Sequence, residues 1–324
     1  MKVKTLLTSI KFRCSILLVG ILGSCSSGDD QFPAPVVELD YSAPITLTGL
    51  VEDTGEISTR GTGAIEGTSK EFTVSLFRAD ETYTDAYISG PHAATITSGS
   101  TFGTGLYYQS GAMMTKLIGV YPAVDGVVNT WDATSRRVTY PSIDGATDIM
   151  TSGLVEGSKS SPMGGITFVH LLTQIKITLV ATTEGVGKWG NVTSVAVGGK
   201  KQSITIQLPV GTATAGAGAS IYSTEGADDL TVTTSTGGTP TATTPTTTEK
   251  TFGYAMFAPS TEKEELVLTV ATSVVSSLNV KTKSQQFLPG YTYELKLNFT
   301  ATQITLSAVT ITLWGAGAGQ SITL

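Results

Sequence analysis

Few residues of this chain are placed to do chemistry, and a cysteine is the first of them. Leu22-Gly23-Ser24-Cys25 has the spacing of a lipobox, L-x-[AGS]-C, in which the cysteine sulfur is acylated and the cysteine becomes the new N-terminus. The preceding residues have the order that such a cut needs. Lys2, Lys4, Lys11 and Arg13 form a basic region, and Cys14–Leu22 a short apolar core. That core is too short for a permanent membrane-spanning helix, so residues 1–24 read as an export signal. Each buried methylene of an acyl chain contributes about 0.8 kcal/mol, so several chains on Cys25 would anchor the protein to a membrane by lipid alone.

Arg60 is the second. It stands between Thr59 and Gly61 in a polar stretch rich in Gly and Thr, Glu52–Ser69. An arginine in an exposed loop is a natural site for a protease, here cutting between Arg60 and Gly61. Arg78, Arg136 and Arg137 compete for that role, but each borders an expected strand. The histidines offer little. His170 lies between Val169 and Leu171 and reads as a structural, hydrogen-bonded residue, and His92 reads as a loop residue. Cys14 and Cys25 are the two cysteines, which excludes a disulfide framework or a thiolate metal site in the body of the chain. No G-x-S-x-G or H-E-x-x-H motif is present, and the glycine-rich pieces at 211–219 and 315–319 lack a following helix and lysine. The reading is therefore no catalytic residue, no metal, no cofactor and no enzyme. Trp131 and Trp189 lie near loops and are open to a saccharide-platform role, whereas Trp314 follows an apolar strand and reads as packing.

These residues need elements to hold them, and the composition points to strands. Hydrophobic residues make up 40% of the 324, charged residues only 14%. An average soluble protein has about 25% charged residues. The length suits about two domains. The net charge is −6, and without the four basic residues of the leading segment 16 basic face 26 acidic residues, about −10. No basic patch suggests nucleic acid or an anionic membrane surface.

The longest strand-like run of the body is Phe168–Val180. Ile175, Ile177 and Leu179 alternate with Gln174, Lys176 and Thr178, the period of a half-buried strand. Short strands with turn-like spacing precede and follow it, Val192–Val197 and Ser203–Leu208 among them, which suggests sandwiches, and no stretch shows a convincing helical period. Thr233–Glu249 is low-complexity and reads as a disordered or extended loop. The expected layout is a signal at 1–24, a tether at 25–44, and β domains at 45–165 and 166–324.

Taken in order, the motifs resemble a family. The lipobox is followed by Asp29-Asp30, then come Thr59-Arg60, EFTVSLF at Glu71–Phe77, KLIGVYP at Lys116–Pro122 and TDIMTS at Thr147–Ser152. Phe168-Val169-His170, LPGYTYELKLNF at Leu288–Phe299 and Ile311–Trp314 complete the series. Together they resemble the fimbrillin-like lipoproteins of Bacteroidales, subunits of type V pili of the fimbrillin A and Mfa type. The resemblance implies an all-β fold of two transthyretin-like β-sandwich domains in tandem. It implies a surface lipoprotein of the outer membrane. It further implies a cut after an arginine that releases the first strand, and a C-terminal donor strand from another subunit that fills the groove. Carried onto this chain, the released segment is Ile45–Arg60 and the donor residues are Ile304, Leu306, Val309, Ile311 and Leu313. The implied partners are other pilin subunits, joined head to tail. A second reading keeps the lipid anchor but drops polymerisation, leaving an anchor, a tip or an adhesin for a host protein or glycan.

Overall fold

The computed structural model describes residues 39–51, 71–79, 83, 90–235 and 237–313. The described residues form strands and no helix. In chain order the strands are β1 (Leu39–Val51), β2 (Glu71–Arg78), β3 (His92–Thr97), β4 (Thr101–Gln109), β5 (Thr115–Tyr121) and β6 (Thr130–Asp132). Next come β7 (Arg137–Tyr140), β8 (Met150–Ser152), β9 (Val155–Gly157), β10 (Gly165–His170), β11 (Thr173–Ala181) and β12 (Val192–Gln207). The last six are β13 (Ser220–Thr231), β14 (Lys250–Phe257), β15 (Val267–Thr272), β16 (Leu278–Lys281), β17 (Tyr291–Phe299) and β18 (Ile304–Leu313).

They build three sheets. The first runs β3-β2-β5-β8-β10-β1-β4, with β9 beside β5; the second runs β14-β11-β17-β18. The third runs β16-β15-β12-β7-β6, with β13 on β12. The second and third share one core, in which Ile175, Ile177, Leu295 and Leu297 meet Val195, Val197, Ile204 and Leu268. The first sheet lines a core of its own, with Ile45, Leu47, Val74, Ile96 and Phe168. The expected all-β class is what the chain adopts.

The apolar runs EFTVSLF and KLIGVYP have a common cause. Val74, Leu76 and Leu117 point into the first sheet's core, while Phe77, Ile118 and Val120 point into the larger one. A strand between two cores loses its alternation, because both faces are removed from water. The hairpin β6–β7 falls within residues 45–165, yet β7 pairs with β12 from Gln207↔Arg137 to Ile204↔Tyr140.

Two expected strand divisions shift. Phe168–Val180 is two strands, divided at Leu171-Leu172: β10 pairs with β8 and β1, and β11 with β14 and β17. Val192–Val197 and Ser203–Gln207 are instead parts of one strand, β12, which ends one residue before Leu208. Gly198-Gly199 looks like a turn in sequence but sits in a register shift, and Gly199 takes φ +67°. The bend lets β12 pair with β15 at its start and with β7 at its end. The threonine-rich stretch is held by backbone hydrogen bonds around Thr243. Val192 N–H donates to Thr243 O at 2.9 Å, Thr243 N–H donates back at 3.0 Å, and Pro240 and Pro245 are buried.

One glycine is fixed by packing. A Cβ on Gly119, in KLIGVYP, would lie 2.6 Å from the ring of the fully buried Phe168. Gly119→Val should therefore lower unfolding free energy by about 1–3 kcal/mol, the usual cost of overfilling a core. Urea unfolding checks it, and an unchanged midpoint would contradict the close approach.

Candidate functional site

β1 lies inside its sheet, with a neighbour on each side. It runs parallel to β10 from Thr48↔Gly165 to Val51↔Phe168, and antiparallel to β4 from Leu39↔Gln109 to Thr48↔Thr101. Its side chains alternate. Ala43, Ile45, Leu47 and Val51 are buried, while Ser42, Pro44, Thr46 and Leu50 are exposed. Gly49 belongs to the inward set, and a Cβ there would overlap Ile96. The Thr104 hydroxyl donates to Ile45 O at 2.9 Å. Each fully buried Ile or Leu contributes roughly 1.5–3 kcal/mol. The strand is therefore a plug with a ladder on both edges, and its removal would uncover both the ladders and the apolar floor. The tether expected through Pro44 gives way to strand at Leu39, because that pairing with β4 begins there.

β18 is the complementary element. It pairs with β17 on one edge, and its other edge has no ladder partner among the described residues. Its sequence, ITLSAVTITL, carries no charge. Ile304, Leu306, Val309, Ile311 and Leu313 stand opposite Phe299, Leu297, Leu295, Tyr293 and Tyr291. A bulge between Leu306 and Ala308 supplies the one-residue step that keeps all five in phase on one face. Leu306, Val309 and Ile311 lie half-buried against the large core. The opposite face of this sheet is polar: Lys176 pairs with Glu294 at 3.2 Å and Lys296 with Glu249 at 2.6 Å. The Lys296 hydrogen bond holds the Glu249 carboxyl below its ordinary range. A long, uncharged edge strand with one apolar face is a template for pairing with another chain.

Cys25, Arg60 and Gly61 lie outside the described residues. The rival arginines are all tied into strands or their ends. Arg78 closes β2 opposite Leu117, and Arg136 adjoins β7. Arg137 lies within β7, with its Nε donating to Gln207 Oε1 at 3.0 Å.

His170 is the structural residue its neighbours suggested. Its Nδ1 lies 2.8 Å from Asp148 Oδ2, and both side chains are buried. His170→Leu would leave the Asp148 carboxyl buried without that partner, and should cost about 3 kcal/mol or more. Urea unfolding measures it, and a loss under about 1 kcal/mol would contradict the pairing's weight. His92, expected in a loop, instead opens β3 and packs over Gly105. Burial, followed by the charge of Asp148, pushes the Tyr121 hydroxyl up to about 12, and burial also pushes up Tyr140. Neither phenol is poised for acid–base work at neutral pH. No group of three or more His, Cys, Asp or Glu among the described residues could hold a metal ion.

Trp131 and Trp189 are held by packing, and Trp314 lies outside the described residues. Trp131 lies 4.5 Å, centroid to centroid, from Phe77, and Trp189 Nε1 donates to Thr300 O at 2.7 Å. Both are half-buried against the large core. The aromatic that sequence reasoning passed over is Tyr222, 56% exposed. Nothing in its local sequence sets it apart, because the register that turns it outward depends on pairing with the distant β12.

Comparison with known proteins fits this architecture. A match to the fimbrillin-like family spans residues 59–314, so the chain belongs to that family. It is accordingly a structural protein of cell-surface fimbriae and not an enzyme. No curated protein sequence matches it. Among solved structures, a protein from Bacteroides uniformis classed by inference as a cell adhesion protein is 15% identical. The match covers 85% of this chain and 99% of that one, with a TM-score of 0.57. The tip fimbrial protein Mfa3 from Porphyromonas gingivalis, with a C-terminal truncation, is 10% identical. There the cover is 84% and 99% and the TM-score 0.43.

Proposed function

We propose that this chain is a fimbrial subunit, exported as a surface lipoprotein on Cys25 and polymerised by protease-triggered strand exchange. A cut at Arg60–Gly61 separates β1 from the rest of the fold. β1 then leaves, and the slot between β10 and β4 takes β18 of another copy. Ile304, Leu306, Val309, Ile311 and Leu313 replace Ala43, Ile45, Leu47, Gly49 and Val51 as the inward row. The incoming main chain replaces both ladders, which supplies affinity, and the alternating side chains fix register. Because donor and acceptor are different surfaces, the product is a head-to-tail filament and not a closed ring.

One observation carries the reading. β1 is paired on both edges and buried on one face, yet its link to β2 runs through the segment that contains Arg60. A second reading starts from the same strand left in place: the fold is then closed, and the chain serves as a lipid-tethered anchor, tip or adhesin for a host protein or glycan. N-terminal sequencing and intact mass of protein sheared from producing cells separate the two. A chain beginning at Gly61 supports the polymerising subunit, and one beginning at lipidated Cys25 overturns it in favour of the tethered form.

A further inference from the structure

A cleft of about 750 Å³ opens on the third sheet, and no residue of β1 lines it. Its walls come from β12, the start of β13, the segment after β14, the segment before β17 and Leu171 between β10 and β11. The volume falls within the usual range for small-ligand sites.

Tyr222 lines this cleft and is the exposed aromatic side chain among the described residues. Two features fix it. The first is a bulge: Thr205 pairs with Ser223 and Ile206 with Ile221, so Tyr222 is the extra residue, and such bulges re-aim side chains. The second is a brace. The Arg137 guanidinium lies 3.4 Å from the ring centroid, and Gln207 anchors Arg137 while its own Nε2 donates to Ser135 O at 2.9 Å. Arg137 does not line the cleft, so the other ring face is the one presented to it.

The remaining lining is neutral overall and rich in hydrogen-bonding groups. Lys200 and Lys263 are balanced by Glu262 and Glu264, and Lys200 pairs with Glu264 at 2.7 Å. The Gln286 amide is held by donation to Thr261 O at 3.1 Å and Gln202 by donation to Gly226 O at 3.4 Å, which leaves both amide oxygens as acceptors. An added peptide strand suits the place poorly. β13 meets β12 through three register shifts and carries Glu225, Asp228 and Asp229, features that blunt an edge.

We infer that this cleft binds a neutral oligosaccharide, with one sugar ring stacked on the free face of Tyr222 and its hydroxyls met by the fixed amides. The inference deepens the adhesive side of the proposed function. It does not depend on strand exchange, since no residue of β18 lines the cleft.

The test is a glycan array carrying neutral, sialylated and sulfated oligosaccharides, probed with the lipid-free chain and its Tyr222→Ala and Tyr222→Phe variants. A peptide array runs beside it. The expected result is binding to neutral glycans, retained by Tyr222→Phe and weakened about tenfold or more by Tyr222→Ala, with matching unfolding midpoints. Four outcomes would overturn it: no neutral glycan bound, acidic glycans only, capture of extended peptides instead, or equal binding by Tyr222→Ala.

Discussion

Ile311→Asp combined with Val309→Asp should leave the cut chain monomeric. Both side chains belong to the inward row of β18, and each Asp would have to enter the apolar slot vacated by β1. Burying an unpaired carboxylate costs several kcal/mol, so two should weaken subunit association by more than about a thousandfold. The readout is the ladder of polymers on gels of unboiled, sheared surface protein. Thr310→Asp is the control, because Thr310 stands opposite Glu294 on the polar face. It should leave the ladder intact. Ladders that survive the double change, or vanish equally in the control, would remove β18 as the donor.

Leu47→Ala should destabilise the uncut chain and leave the filament unaffected. Leu47 is fully buried at the centre of β1. In the uncut chain the truncation should cost about 2–5 kcal/mol, as large-to-small core changes do. In the filament it should cost nothing, because β1 is no longer there. Thermal unfolding of the uncut protein and heat dissociation of sheared filaments report the two states. A filament destabilised as much as the monomer would mean that β1 stays in place.

Much of this arrangement was legible in the sequence, and the gaps have physical causes. β2, β5, β11 and β17 stood out because buried faces leave a pattern of period two or a run apolar on both sides. The five donor residues were legible as apolar positions. The bulge that puts them on one face was not, since Ser307 is an ordinary residue for a strand. β12 read as two strands because Gly198-Gly199 has turn composition but is used as a bend within a pair. The threonine-rich stretch allowed either disorder or extension, and its fixed form rests on contacts with Val192 and Ala181 far away in the chain. The pairing of β7 with β12 is also long-range, as is the Arg137–Tyr222 contact, so no local pattern announces either.

The most direct measurement is a cysteine scan across the proposed junction. Thr48 and Thr101 face each other in β1 and β4, with hydroxyls 3.3 Å apart. With Thr101→Cys as acceptor, cysteines are placed in turn at Thr305, Thr310 and Thr312, on the face of β18 opposite the apolar row. Disulfide-linked ladders are expected after cleavage, dominated by one of the three positions because register is fixed. The uncut chain should give none. Cross-linking absent at all three positions, or equal in cut and uncut protein, would contradict replacement of β1 by a second copy's β18.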